Sequence, residues 1–246
     1  MKRFCVETVM AAIFTMLFAG VVFAQDHLIT LGNAVGEVSN VDGPAWIQVD
    51  MNGCQFFMKI DRGDHVKYNG PDFIFYRSNY LAADRDLPYL KQAEMSAGYD
   101  WWFEDPKDKK IPWVGLMCES ISSFKWSSDP VKTDMSPELQ DVMDSNLLKC
   151  PADFDGEKWV VRQGVSGARF INLDVIGGVG FVIGDKMKNG GQGSRFCFVN
   201  GRNVLIGISG GGIGIGEDKG AGDSIIGVLK GIEFKSGGIP IGWPGD

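Results

Sequence analysis

Two histidines are all the imidazole this 246-residue chain has, and their placement limits its chemistry. His27 lies near the N-terminus, and His65 sits in the stretch Gly63-Asp64-His65-Val66. There is no His-Glu-x-x-His motif and no histidine pair at metal-binding spacing, which excludes a histidine-built zinc site. A Ser-His-Asp triad would have to use His65. Its serine has no Gly-x-Ser-x-Gly elbow to sit on, because Gly164-Val165-Ser166-Gly167 is one residue too compact. His65 therefore reads as a structural strand residue.

Carboxylates can work without histidine. Asp153, Asp155 and Glu157 alternate, so in an extended segment they face one way and could hold Ca²⁺, the one cofactor the sequence suggests. The plainer reading is a solvated Asp-Gly turn following Cys150-Pro151, since the full calcium-loop pattern is missing. Asp100, Glu104 and Asp105 surround Tyr99, Trp101, Trp102 and Phe103. Two carboxyls beside aromatic platforms are the equipment of a glycoside hydrolase. Trp101 and Trp102 are neighbours, so in a strand one faces the core and the other faces out. An exposed tryptophan meets a ligand or partner more readily than it faces bare water, which makes this aromatic run the first candidate recognition surface. The alternative is that both indoles tuck under a loop.

The glycine runs invite nucleotide readings, and their spacing refuses them. Gly212-x-Gly214-x-Gly216 is not Gly-x-Gly-x-x-Gly, and Lys219 is followed by Gly220 where a P-loop needs Ser or Thr. These glycines read as turn and sheet-packing residues. The run from Gly212 to Gly216 puts Ile213 and Ile215 on one face and nothing on the other, a bare strip that a ring, a sheet or a partner could cover.

The address comes from the N-terminus. Lys2 and Arg3, an apolar run from Thr8 to Val22, and Val22-Phe23-Ala24 have the layout of a secretory signal peptide cleaved after Ala24. The rival is an uncleaved anchor, but Glu7 shortens the apolar run. No other stretch is long and apolar enough to span a bilayer as a helix, so the cleaved chain reads as no integral membrane protein. Cleavage would remove Lys2, Arg3 and Glu7, taking 24 basic and 31 acidic residues to 22 and 30, a net charge of −8. Such a surface repels phosphates, and no nucleic-acid partner is expected.

Export also sets the sulfur chemistry. Cys5 leaves with the leader, and Cys54, Cys118, Cys150 and Cys197 remain, an even number that reads as two disulfides. Three pairings exist. The preferred one joins Cys118 to Cys150 and Cys54 to Cys197, a choice the sequence does not dictate.

The segments that position these residues divide into three zones after the leader (1–24). An N-terminal β-module spans 25–80, with strands near Val35–Val41, Ala45–Met51, Cys54–Ile60 and Phe73–Tyr76. Asn52-Gly53 makes the strongest hairpin signal. Residues 81–154 mix helix and loop. Asp86 could cap a helix to Ala97 with Gly98 after it. Ser136-Pro137-Glu138 starts a better one, whose Leu139, Val142, Met143 and Leu147 share a face. Residues 155–246 are Gly-rich and β-like, with a second hairpin around Asn200-Gly201 and a late strand at Gly227–Phe234. The whole of 25–246 fits one compact unit as well as three.

Val35-Gly36-Glu37-Val38 and Val41-Asp42-Gly43-Pro44-Ala45-Trp46, followed by Gly63-Asp64-His65-Val66, resemble the opening of a FecR-type domain over residues 35–68. The resemblance implies an extracytoplasmic β-module of a bacterial envelope or signalling protein, without catalytic residues of its own.

The expected fold is mainly β, with antiparallel sandwich or barrel-like sheets, one or two short helices in mid-chain, and disulfide staples. The expected function is that of a secreted or periplasmic, non-enzymatic protein that binds an envelope or secreted protein, or a glycan, through Tyr99, Trp101, Trp102, Phe103, Ile213 and Ile215. The alternatives are a periplasmic inhibitor or immunity protein, whose acidic surface suits a basic partner, and a carbohydrate-active or Ca²⁺-dependent hydrolase.

Overall fold

The structure is a computed structural model that describes residues 28–95, 98–106, 110–124, 126, 136–162, 169–186, 192–211 and 225–235, with backbone only at 95, 98, 99, 185, 186 and 192. Ile213 and Ile215 lie outside the described residues.

Turn chemistry sets up the first sheet. Asn52 and Gly53 take φ of 49° and 98°, the two left-handed positions a tight hairpin turn needs, and they join β3 (Ala45–Met51) to β4 (Cys54–Ile60) with Met51 opposite Cys54. Both strands alternate buried and less buried residues, so only one face meets the core. β1 (Leu28–Leu31) adds parallel to β3, and β16 (Ile232–Phe234) adds antiparallel to β4, completing a four-stranded sheet.

The second sheet has eight strands. From the N-terminal part come β2 (Val38–Asp42), β5 (Asp64–Asn69), β6 (Asp72–Arg77) and β9 (Trp113–Ser120). From the C-terminal part come β12 (Phe170–Val175), β13 (Gly178–Lys186), β14 (Gln192–Asn200) and β15 (Asn203–Gly210). The order is β12-β13-β14-β15-β9-β6-β5-β2, antiparallel throughout. In β9 six successive residues, Trp113 to Cys118, are buried, the mark of a strand covered on both sides.

One side is covered by the four-stranded sheet. Val49, Phe56, Met58 and Phe234 pack there against Val66, Phe73, Leu116, Phe196 and Phe198. The other side carries a third layer with three parts. These are the hairpin of β7 (Tyr89–Met95) and β8 (Gly98–Glu104), the helix α1 (Pro137–Lys149), and the short pair β10 (Ala152–Phe154) and β11 (Trp159–Val161). Trp159, Phe154, Phe181 and Trp126 fill the core under one end of this layer, and Phe103, Trp113 and Tyr76 fill it under the other. The fold is therefore mainly β and sandwich-like, as the sequence indicates, with α1 as its mid-chain helix.

Ser136 caps α1, its Oγ accepting from Leu139 N at 3.3 Å, with Pro137 in the first turn. Leu139, Val142, Met143 and Leu147 are all at least partly buried, beside the fully buried Asn146.

Three expectations are corrected. Cys54 bonds Cys118 and Cys150 bonds Cys197, with Cα separations of 5.8 and 5.9 Å, in place of the pairing preferred from sequence. Cys118 faces the four-stranded sheet and Cys197 the opposite layer, so each takes the cysteine presented on its own side of the eight-stranded sheet. The stretch from Asp86 to Ala97 is no helix. Asp84–Asp86 makes one 3-10 turn, and β7 follows because Leu90 finds Phe103 across the hairpin, a partner that outweighs a local cap signal. Gly227–Phe234 is not one strand either. Residues Ile225–Lys230 form a helical turn, α2, whose Ile225 and Leu229 lie one turn apart and are both buried, and β16 starts only after Gly231.

Candidate functional site

Phe103 fastens the β7–β8 hairpin to the sheet. A Cβ on Gly115 would come within 2.7 Å of its ring, so the ring lies flat on a strand position that only glycine leaves open. Trp113 and Trp101 pack against the same ring, with centroids at 5.8 and 6.3 Å. Strand alternation then sends Trp101 inward, where it is half-buried, and Trp102 outward, where it is 42% exposed.

A cleft of about 650 Å³ opens where the hairpin, the C-terminal end of α1 and strands β14–β15 meet. Trp101, Trp102 and Phe103 form one wall, Ile206 and Ile208 of β15 form its floor, and Leu148 stands at its mouth. The size and the mainly apolar lining are those of a ligand site. Its charged side chains are engaged with one another or with backbone, while the buried Ser194 hydroxyl, which also lines the cleft, has no hydrogen-bond partner among the described residues. Lys149 Nζ lies 2.8 Å from Glu119 Oε1, 3.6 Å from Asp100 Oδ1 and 5.6 Å from the centre of the Trp101 ring. Trp101 Nε1 donates to Glu119 at 2.5 Å, Trp101 N to Asp100 at 2.8 Å, and Ser145 Oγ to Asp100 at 3.2 Å. Arg195 Nη1 donates to the Leu148 carbonyl at 3.2 Å. Lys149 and Asp100 side chains are only 9% and 7% exposed, so their charges are compensated within the protein and not by water.

The structure thus brings together Trp101, Trp102 and Phe103 of the expected surface. Tyr99 lies opposite Glu94 in the hairpin, and only its backbone is described. Lys149, Glu119, Arg195, Ile206 and Ile208 carried no signal in the sequence, because they come from an α-helix end and three strands that meet only in the folded state.

The other candidates do structural work. Asp153 pairs with Arg162 at 2.7 Å in a buried ion pair. Asp155 accepts from the backbone N–H groups of Glu157 and Lys158 at 3.0 and 2.8 Å, and the bond from Lys158 leads the causes that hold its carboxyl below the usual range. Asp153 therefore turns to an arginine while Asp155 closes a turn, the plainer of the two readings, and Glu157 points to solvent, so the three side chains do not converge. Among the described residues no group of three or more acidic, histidine or cysteine side chains stands where it could hold a metal ion. His65 has Nδ1 at 2.8 Å from Asp42 Oδ1 and Nε2 at 3.1 Å from the Ser78 carbonyl, with Tyr76 stacked on its ring. Both ring nitrogens are occupied. Glu104 pairs with Lys91 on the outside of the hairpin, away from the role of Asp100 in the lysine network.

No family model, curated protein or solved structure matches the chain. Among the described residues no helix is long and apolar enough to cross a membrane. Two disulfides in such a β-structure fit an extracellular or periplasmic location.

Proposed function

We propose that the chain is an exported, non-enzymatic protein of the bacterial envelope that acts by binding a protein or glycan partner in the cleft between the β7–β8 hairpin and β14–β15. The observation that carries this reading is the cleft itself. It pairs aromatic walls with charged groups that are committed to one another, the make-up of a recognition site more than of a site that moves protons. The signal-peptide layout of residues 1–24, the two disulfides and the FecR-like pattern at 35–68 support the address.

The test compares the protein recovered from the envelope or medium with its Trp102→Ala variant as affinity baits. A partner or glycan retained by the first and lost by the second, at unchanged melting temperature, supports the proposal. Equal retention by both removes the cleft from the binding site. N-terminal sequencing that finds a start other than Gln25 removes the cleaved leader. The acidic balance of 31 acidic against 24 basic residues favours one variant of this reading, an inhibitor that covers a cationic enzyme. Stoichiometric loss of a cationic hydrolase's activity on addition of the protein would establish it.

A further inference from the structure

We infer that the cleft takes a large apolar side chain from a basic protein surface, and that a sugar is not its ligand. This rests on the binding reading above and specifies the partner.

A sugar ring stacked on tryptophan needs hydrogen-bonding side chains around its hydroxyls. Here the charged groups are already engaged: Asp100 accepts from Trp101 N and Ser145, Lys149 sits on Glu119, and Arg195 reaches the Leu148 carbonyl. The Ser194 hydroxyl has no partner among the described residues, but one buried hydroxyl does not match the several hydroxyls of a sugar ring. The two cations and two carboxylates of this cluster also balance, so the cleft offers no net charge to a small ion. What it does offer is hydrocarbon: the Trp101 and Phe103 rings against Ile206 and Ile208.

The apolar surface does not stop at the mouth. Trp102 and Leu148 stand there 42% and 61% exposed. A small ligand lying inside would leave them bare, whereas a protein surface seated over the cleft would cover them while one of its side chains fills it. Addition of a partner strand along β8 is opposed, because the Trp101 amide already donates to Asp100 Oδ1. On the elements that line the cleft, Glu94 follows the lining Ala93 and Asp144 lies one helical turn before Leu148, both exposed to solvent, while Lys91 is paired with Glu104. An anchor flanked by lysine or arginine matches these two acids and the chain's excess of 31 acidic over 24 basic residues.

The experiment titrates the intact secreted protein with a short lysine-flanked peptide carrying one central leucine or phenylalanine. The same peptide with serine at the centre is the first control, and malto- and chito-oligosaccharides are the second. Binding is read by tryptophan fluorescence and calorimetry. Trp102→Ala and Leu148→Ser, both at exposed positions and so compatible with folding, are run in parallel. Burial of the anchor is expected to make the apolar peptide about tenfold tighter or more than the serine peptide. Each variant is expected to lose most of that difference.

Oligosaccharide binding that disappears in Trp102→Ala keeps the cleft as the recognition site and overturns the protein-partner inference. Equal affinity for the apolar and serine peptides also overturns it. Peptide binding undiminished in both variants, or no binding by any probe, overturns the inference and the cleft reading together.

Discussion

Replacing Lys149 by methionine removes one cation from the cluster that holds the hairpin to the helix. The substitution keeps the length and most of the packing of the side chain, so the charge is the main thing lost. Lys149 stands 2.8 Å from Glu119 and 3.6 Å from Asp100, and the three side chains are 9%, 19% and 7% exposed. At that depth, breaking a pair leaves two carboxylates facing each other without compensation, a cost of about 3–5 kcal/mol. Urea unfolding followed by tryptophan fluorescence measures it: the midpoint falls while the slope stays constant, because the unfolded surface is unchanged. A double-mutant cycle with Glu119→Gln isolates the pair, with a coupling of roughly 1–3 kcal/mol expected. A loss below about 1 kcal/mol, the range of solvent-screened pairs, would refute the view that this network is shut off from water.

The two disulfides close loops of 64 and 47 residues that do not overlap, and each contributes about 4 kcal/mol in the loop-entropy treatment. The Cys54→Ser/Cys118→Ser double variant should lose roughly that much in denaturant titration, as should Cys150→Ser/Cys197→Ser. Gly115→Val places methyl groups inside the Phe103 ring and should cost about 1–3 kcal/mol, with the change in tryptophan emission localised by adding Phe103→Leu, which relieves the clash. Burial pushes the Asp72 carboxyl from 3.8 up to about 6, with Lys67 opposing. The folded state therefore binds this proton more tightly than the unfolded chain, and stability rises as pH falls from above 6 towards 4. Asp72→Asn should raise the melting temperature at about pH 7.5 and leave it nearly unchanged at about pH 4, whereas an equal gain at both would dismiss Asp72 as the source.

Local signals in the sequence were strong where a turn or cap is built from adjacent residues. Asn52-Gly53 and Ser136-Pro137 each encode backbone geometry within a few positions, and both elements are present. The β7 strand was illegible because its reason to be extended is Phe103, thirteen residues downstream of Leu90 and itself placed by Gly115. Disulfide partners were illegible for a related reason: which face of the central sheet a cysteine occupies depends on registers that no single strand reveals. For the site, alternation along β8 was enough to mark Trp101 and Trp102 as a contrasting pair. The lysine network beneath them joins residues 100, 119 and 149, and only the assembled layers bring these into contact.

The pairing of β16 with β4 carries a consequence for biogenesis. Ile232 lies beside Met58, so the smaller sheet cannot gain its last strand until some 170 intervening residues have been made and collected. A ribosome-bound chain holds the Phe56–Met58 edge of β4 open for that whole interval. The strand that closes this edge is the last of the described strands to be made. Until then, that edge is open to pairing with another chain.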